Sequence, residues 1–267
     1  MKNAAAVWDD VCAIREQSPV VHNITNFVVM TPTANALLAL GASPVMSHAI
    51  EEVEEMVGIA NALVLNIGTL STPWIAAMHC AAQAASRRGI PIVLDPVGAG
   101  ATKLRTETAL DLLQAVPITV VRGNASEILA LGGAAAGARG VDSQHGSDSA
   151  LEAARSLAAR HGCVVSISGA TDYIVRGERL AKVASGHLMM TRVTGMGCSA
   201  SALTGAFLAV NDDPLAAAAH AMAVMGVAGE IAEKESHGPG GLQVEFLNRL
   251  YRLRRHNLIS RLRMEWA

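Results

Sequence analysis

Aromatic side chains are scarce: three Phe, three Trp and two Tyr make up 3% of the 267 residues. The interior must therefore be filled by Ala, Val, Leu, Ile and Met, a composition suited to helices packed closely on a sheet. Charge of one sign is also lacking. Twenty-one Lys and Arg stand against 23 Asp and Glu, a formal net charge of −2, which argues against a surface built for nucleic acid. With 51% apolar and only 16% charged residues, intrinsic disorder is excluded. The four cysteines, Cys12, Cys80, Cys163 and Cys198, include no CxxC pair. They offer neither a ribbon-type zinc site nor a disulfide framework, and a reducing, cytoplasmic compartment is expected. The first 17 residues carry Lys2, Asp9, Asp10, Arg15 and Glu16 and lack the apolar stretch of a signal peptide. Met56–Ser86 is free of Asp, Glu, Lys and Arg, but Gly58, Asn61, Asn66, Gly68, Ser71, Thr72 and Pro73 break it into a short strand and a helix. A bilayer span needs about 20 largely apolar residues, so no membrane partner is expected. No repeat is evident, the Gly-, Ala- and Ser-rich loop around Gly132–Ser149 is too short for an interdomain linker, and residues 1–267 read as one domain.

What is present is a recurring pattern of short β-branched runs ending in polar or Gly-rich residues. Val20-Val21 leads into His22-Asn23, and Pro44-Val45-Met46 into Ser47-His48. Leu63-Val64-Leu65 leads into Asn66, Ile92-Val93-Leu94 into Asp95, Val120-Val121 into Arg122-Gly123-Asn124, and Val164–Ile167 into Ser168-Gly169. Helical stretches lie between them, at Thr33–Leu40, Pro73–Arg88, Glu107–Ala115, Ser126–Leu131 and Ser149–Arg160. Strands alternating with helices predict βαβ units and an α/β fold with a mostly parallel sheet covered on both faces. Asp172–Val175 and Leu180–Ala184 read as a hairpin on the sheet edge. The closing helices are Ser199–Val210, Pro214–Glu233 and Leu242–Arg255, with Asp213-Pro214 a helix start. Ligands of open parallel sheets bind at the carboxyl ends of the strands, so the polar strand exits are where chemistry belongs.

The strongest local signal is Thr194-Gly195-Met196-Gly197-Cys198-Ser199. Two glycines allow close backbone approach, and the helix that follows aims unpaired N–H groups at an anion. The same field is expected to lower the pKa of Cys198; the plainer reading is a glycine turn with an inert cysteine. Asp95, ahead of Gly98 and Gly100, offers a hard oxygen ligand for Mg²⁺ or a capping carboxylate for a turn. Asn124 and Glu127 have capping-box spacing; alternatively Glu127 stands near a metal–phosphate complex with Arg122 on phosphate oxygens. Ser168-Gly169 can face a phosphate or form a turn. The amides of Asn23, Asn26 and Asn35 suit a small polar heterocycle or alcohol, or simply their own loop. Met46 can pack on a flat ring or fill the core.

In order along the chain, VHNITN, TAN, LLALGASPVM, NIGTL, DPVGAGAT, RGNASEI, SG and GMGCSA resemble the hydroxyethylthiazole kinase family, over about residues 21–233. The resemblance implies a ribokinase-like three-layer sandwich and ATP-dependent phosphorylation of the hydroxyl of 4-methyl-5-(2-hydroxyethyl)thiazole in the thiamine pathway. It implies Mg²⁺ and a homotrimer with pockets between subunits. By position it makes Met46, Gly195 and Asn26 substrate contacts, and Arg122, Ser168 and Asn124 nucleotide contacts. Asp95 and Glu127 become the metal positions, and Gly195, Gly197 and Cys198 the catalytic anion hole. Three departures stand out: Ser168 where Thr is usual, Met196 in place of Thr in the anion-hole block, and Thr31-Pro32 where Asn is usual at the first position. Alternatives on the same fold are a hydroxymethylpyrimidine-type kinase, which carries Asp at the Cys198 position, or a non-catalytic thiazole or nucleotide binder. A cysteine hydrolase would need His22 or His48 beside Cys198.

Overall fold

The computed structural model describes residues 2–133 and 143–267. Residues 134–142 of the Gly-, Ala- and Ser-rich stretch noted above lie outside them. The chain opens with α1 (Lys2–Gln17), β1 (Val20–Ile24), α2 (Met30–Leu40), β2 (Ser43–Val45), α3 (Val53–Ile59) and β3 (Ala62–Asn66). It continues through α4 (Thr72–Arg88), β4 (Ile92–Asp95), α5 (Lys103–Ala115), β5 (Val120–Asn124), α6 (Ala125–Leu131) and α7 (Ser143–His161). Next come β6 (Val164–Ser168), β7 (Asp172–Arg176) and β8 (Arg179–Val183). The last elements are α8 (Met196–Leu208), α9 (Pro214–Glu235), α10 (Pro239–Arg252), α11 (Arg255–Arg261) and β9 (Met264–Trp266).

All nine strands join one sheet in the order β2-β1-β3-β4-β5-β6-β7-β8-β9. The pairings from β2 through β6 are parallel, and those from β6 to β9 antiparallel. The expected α/β architecture with helices on both faces is present, and the side-chain alternation of the strands explains it. Val21, Val64, Val93, Val120 and Val164 feed one core with α1, α2, α8, α9 and α10. Their neighbours Leu63, Leu65, Ile92, Leu94, Val121 and Val165 feed the other, with α3 to α7. Consecutive residues of a strand point to opposite faces, so uninterrupted apolar runs are stable only where both faces are covered.

The hairpin β7–β8 is not the sheet edge, a correction to the expectation. β9 pairs with β8 through Val183↔Met264 and Ala181↔Trp266, so the carboxyl-terminal tail supplies the last strand. The expected helix to Arg255 also divides. The Arg15 guanidinium donates to the carbonyls of Leu250, Tyr251 and Leu253 at 3.1–3.2 Å, satisfying the orphan acceptors where α10 ends. Asp213 caps α9 as expected, its carboxylate accepting from Leu215 N at 3.1 Å. Helix α9 is long and apolar enough to cross a membrane by length and composition, yet 89% of its apolar window is buried inside the protein. Pro32 lies in the first turn of α2, where its missing N–H costs nothing.

α8 sits very close to the sheet. A Cβ on Gly205 would lie 2.8 Å from Val64 Cγ2 and 3.1 Å from Val21 Cγ1. This contact fixes the helix over β1 and β3 and sets its amino-terminal end at their carboxyl ends.

Candidate active site

A cleft of about 730 Å³ opens at the carboxyl ends of the parallel strands. The exits of three strands contribute to its wall: Asp95 from β4, Arg122 and Asn124 from β5, and Ser168 and Gly169 from β6. Glu127 of α6 and the start of α8, Gly195 to Cys198, complete its polar part. Eight of the ten residues singled out in the sequence therefore share one cavity. Asn26 reaches it indirectly, because its Nδ2 lies 3.5 Å from Cys198 Sγ. Met46 does not line the cleft of its own chain.

α8 begins without a side-chain cap. Its first backbone bond runs from Ser199 N to Gly195 O at 2.8 Å, so the N–H groups ahead of Ser199 are the orphan donors of the helix start. Gly195 holds φ +84°, a left-handed conformation, and a Cβ there would press on Val29 Cγ1 at 3.0 Å. A Cβ on Gly197 would lie 2.8 Å from Arg122 Nη1. Helix start and guanidinium are thus in contact, and together they present donors and positive charge to one point. Arg122 is 7% exposed, and its Nε has no partner among the described residues. A buried donor of this kind calls for an acceptor from outside the chain.

The carboxylates are not equivalent. Asp95 is buried, and its Oδ2 accepts from Asn66 Nδ2 at 2.7 Å and Ser201 Oγ at 2.8 Å. Burial pushes its pKa up to about 6 against the pull of Arg122 and these donors. Glu127 is engaged at both oxygens, by Gly98 N at 2.9 Å and Asn124 N at 2.8 Å, and Asn124 Oδ1 accepts from Glu127 N in return. The capping box read in the sequence is therefore real, and Asn124 spends its side chain on it. Asp172 was passed over as a site residue in the sequence, yet it lines the same cleft. It accepts from Gly169 N at 3.0 Å, and burial pushes its carboxyl to about 7. Only its place at the end of a polar motif could have signalled this.

The expectation for the thiol is overturned. Burial and the neighbouring Asp95 push the pKa of Cys198 up to about 11, and the amides of Asn66 and Asn26 and the charge of Arg122 offset this only in part. Desolvation exceeds these opposing contributions, so Cys198 is a thiol at neutral pH. The hydrolase alternative loses its base as well. His22 Nε2 is 2.9 Å from Ser47 O, His48 stacks on Trp74 at 3.9 Å, and neither lines the cleft.

A set of converging donors at the mouth of a parallel sheet narrows the fold, and similarity to known proteins decides the family. The hydroxyethylthiazole kinase family model matches residues 11–256. The chain belongs to the hydroxyethylthiazole kinase family. It is 59% identical over 258 residues to a hydroxyethylthiazole kinase of Syntrophus aciditrophicus, covering 96% of each chain. It is 56% identical over 251 residues to one of Oleidesulfovibrio alaskensis, covering 94% of each. A solved structure of a hydroxyethylthiazole kinase protein from Pyrococcus horikoshii superposes with a TM-score of 0.91 at 44% identity, covering 98% of both chains. A pyridoxal kinase from Staphylococcus aureus, in complex with AMP-PCP and pyridoxal, matches at a TM-score of 0.66 and 16% identity over 93% of this chain and 98% of that one, which shows the fold alone.

In this hydroxyethylthiazole kinase family member the geometry at Gly68 gives a direct test. A Cβ there would sit 2.5 Å from Asn26 Nδ2 and 2.8 Å from Asn26 Cγ. Gly68→Ala should displace the Asn26 amide from the thiol and lower kcat by about tenfold, the scale of a small misplacement. Unchanged steady-state kinetics would remove Asn26 from the working site.

Proposed function

We propose that the cleft transfers the γ-phosphoryl group of ATP to the primary alcohol of 4-methyl-5-(2-hydroxyethyl)thiazole, as the names of the relatives indicate, and that residues 1–267 act as one kinase domain in the cytoplasm. The observation that carries this reading is the meeting of the uncapped α8 start with the buried, partly unpartnered Arg122. Phosphoryl transfer requires chiefly positioning and charge neutralisation. The N–H groups of Gly195, Gly197 and Cys198 hold the migrating group, Arg122 meets the phosphate oxygens, and Ser168 and Asn124 flank the nucleotide.

The donor set suits Mg²⁺ arriving with the nucleotide. Such an ion takes one or two carboxylates and fills its remaining positions with phosphate oxygens and water. No group of three or more His, Cys, Asp or Glu suited to a metal occurs among the described residues. Asp95 would hold the ion, since no hydrogen bond from the described residues reaches its Oδ1. Glu127 stands beside it, with its oxygens already on backbone N–H groups. When bound, the ion neutralises charge on the β- and γ-phosphates.

A homotrimer with pockets shared between subunits fits the placement of Met46. It precedes a surface where Phe27, 65% exposed, packs edge-on against Trp74 and His48, with Val28 and Ile50 exposed close by in sequence. Sedimentation of the purified chain at three times the monomer mass is the expected result.

The deciding assay incubates the protein with Mg·ATP and a panel of thiazole and pyrimidine alcohols. ADP and a phosphomonoester should form with the thiazole alcohol first; preference for a pyrimidine alcohol would move the reading to the related kinase. A neutral thiol adds a second expectation. If Cys198 takes the acceptor proton, kcat rises with pH from 7 to 9, because the thiolate fraction grows about tenfold per pH unit below a pKa near 11. Cys198→Ala should lower kcat by about 10²-fold, the low end for a general base, and Cys198→Asp should stay active with a flatter profile. A flat profile with full activity in Cys198→Ala would leave the thiol a packing role.

A further inference from the structure

Asn66 ends β3, directly opposite Asp95 in the β3–β4 register. It is buried, and both ends of its amide are in use. Oδ1 accepts from Asn26 Nδ2 at 2.9 Å and from Gly68 N at 2.9 Å. Nδ2 donates to Asp95 Oδ2 at 2.7 Å. An Asn has two acceptor positions and two donor hydrogens, and here both acceptor positions and one donor hydrogen are matched. The amide has only one workable orientation. Turned over, it would set N–H against N–H at Gly68 and oxygen against oxygen at Asp95.

We propose that Asn66 is a positioning residue that holds the Cys198 thiol and the Asp95 carboxylate in one rigid frame, so that the acceptor side and the phosphate side of the cleft keep a fixed separation. The proposal rests on the phosphoryl-transfer reading above.

Three features make the frame stiff. Asn26 links Asn66 to the thiol, with Nδ2 near both Asn66 Oδ1 and Cys198 Sγ. Gly68 leaves no space behind Asn26, as the 2.5 Å contact of an added Cβ shows. Arg105 clamps the backbone that carries Gly68, donating to Gly68 O at 2.6 Å, Val97 O at 2.6 Å and Ile67 O at 3.2 Å. The loops after β3 and β4 are thereby tied together by Arg105, while Asn66 ties the two strand ends together at Asp95. Asp95 keeps Ser201 as a second donor, so removal of Asn66 loosens the frame without stripping the carboxylate of all support.

The test is a kinetic cycle on the full-length enzyme with Mg·ATP and the thiazole alcohol, comparing Asn66→Ala, Asn26→Ala and the double variant. Each single change should lower kcat by about 10- to 100-fold, with KM for both substrates nearly unchanged, because alignment is lost and binding is kept. The double variant should fall little below Asn66→Ala alone, since both changes break the same link. Fully additive effects, an unchanged kcat, or a loss confined to KM would overturn the proposal. Should Asn66→Ala fail to fold, Asn66→Asp takes its place. It is isosteric, keeps the acceptor for Gly68 and Asn26 and removes the donor to Asp95; the same fall in kcat is expected, and normal turnover overturns the proposal. Parent enzyme inactive on the thiazole alcohol sinks the functional reading itself; active parent with additive variants sinks only the role of Asn66.

Discussion

Arg122→Ala is expected to reduce kcat/KM for ATP by about 10²- to 10³-fold, the scale seen when one member of a buried charged set is truncated. The guanidinium draws down the pKa values of Asp95, Asp172 and Cys198, three groups that burial pushes up. Its removal takes that charge away from all three groups and deprives the phosphate of a donor beside the α8 start. The loss should appear in both KM for ATP and kcat, because a phosphate-facing charge contributes before and during transfer. Arg122→Lys should recover only part of it, since an ammonium restores the charge and not the planar fork. Steady-state kinetics with ATP varied at saturating alcohol provides the measurement. A variant with parental KM and kcat would mean that Arg122 only balances the buried carboxylates.

The same residues show how far the sequence could be read. Strand exits are polar because they end at a ligand-facing rim, so Asp95, Arg122 and Ser168 were legible as a group once the sheet was known to be parallel. Helix α1, absent from the helices expected above, has its period in Ala4, Val7, Val11 and Ile14, all of them buried. Strand β9 has three residues, too few for alternation to declare itself, and only its pairing with β8 makes it a strand. The role of Asn66 depends on β3 lying between β1 and β4, because that order alone puts its amide between Asn26 and Asp95. The state of the Cys198 thiol was misread for a similar reason. A helix start can be seen in a sequence, whereas the burial and the carboxylate that outweigh it come from distant segments.

Asp172→Asn is expected to stabilise the free protein at pH 8 and leave it nearly unchanged at pH 4. The folded-state pKa of Asp172 is raised to about 7 from an ordinary 3.8. Below the ordinary value both states are protonated, and the group has no effect on folding. Between there and about pH 7 the unfolded chain ionises while the folded one resists, so stability falls as pH rises. Each pH unit of displacement is worth about 1.4 kcal/mol, which puts the accumulated loss at a few kcal/mol, with Asp95 adding a smaller loss that ends near pH 6. Asparagine keeps an oxygen for Gly169 N and carries no charge to desolvate, so the variant escapes the penalty. Thermal unfolding of parent and variant at the two pH values should show a Tm gap of several degrees at pH 8 that closes at pH 4. A variant less stable than the parent at pH 8 would mean that the attraction of Arg122 outweighs desolvation and that Asp172 works as an ionised partner. In that case the cleft wall at Asp172 carries a full negative charge in the resting enzyme, and Arg122 must be shared between that charge and the incoming phosphate.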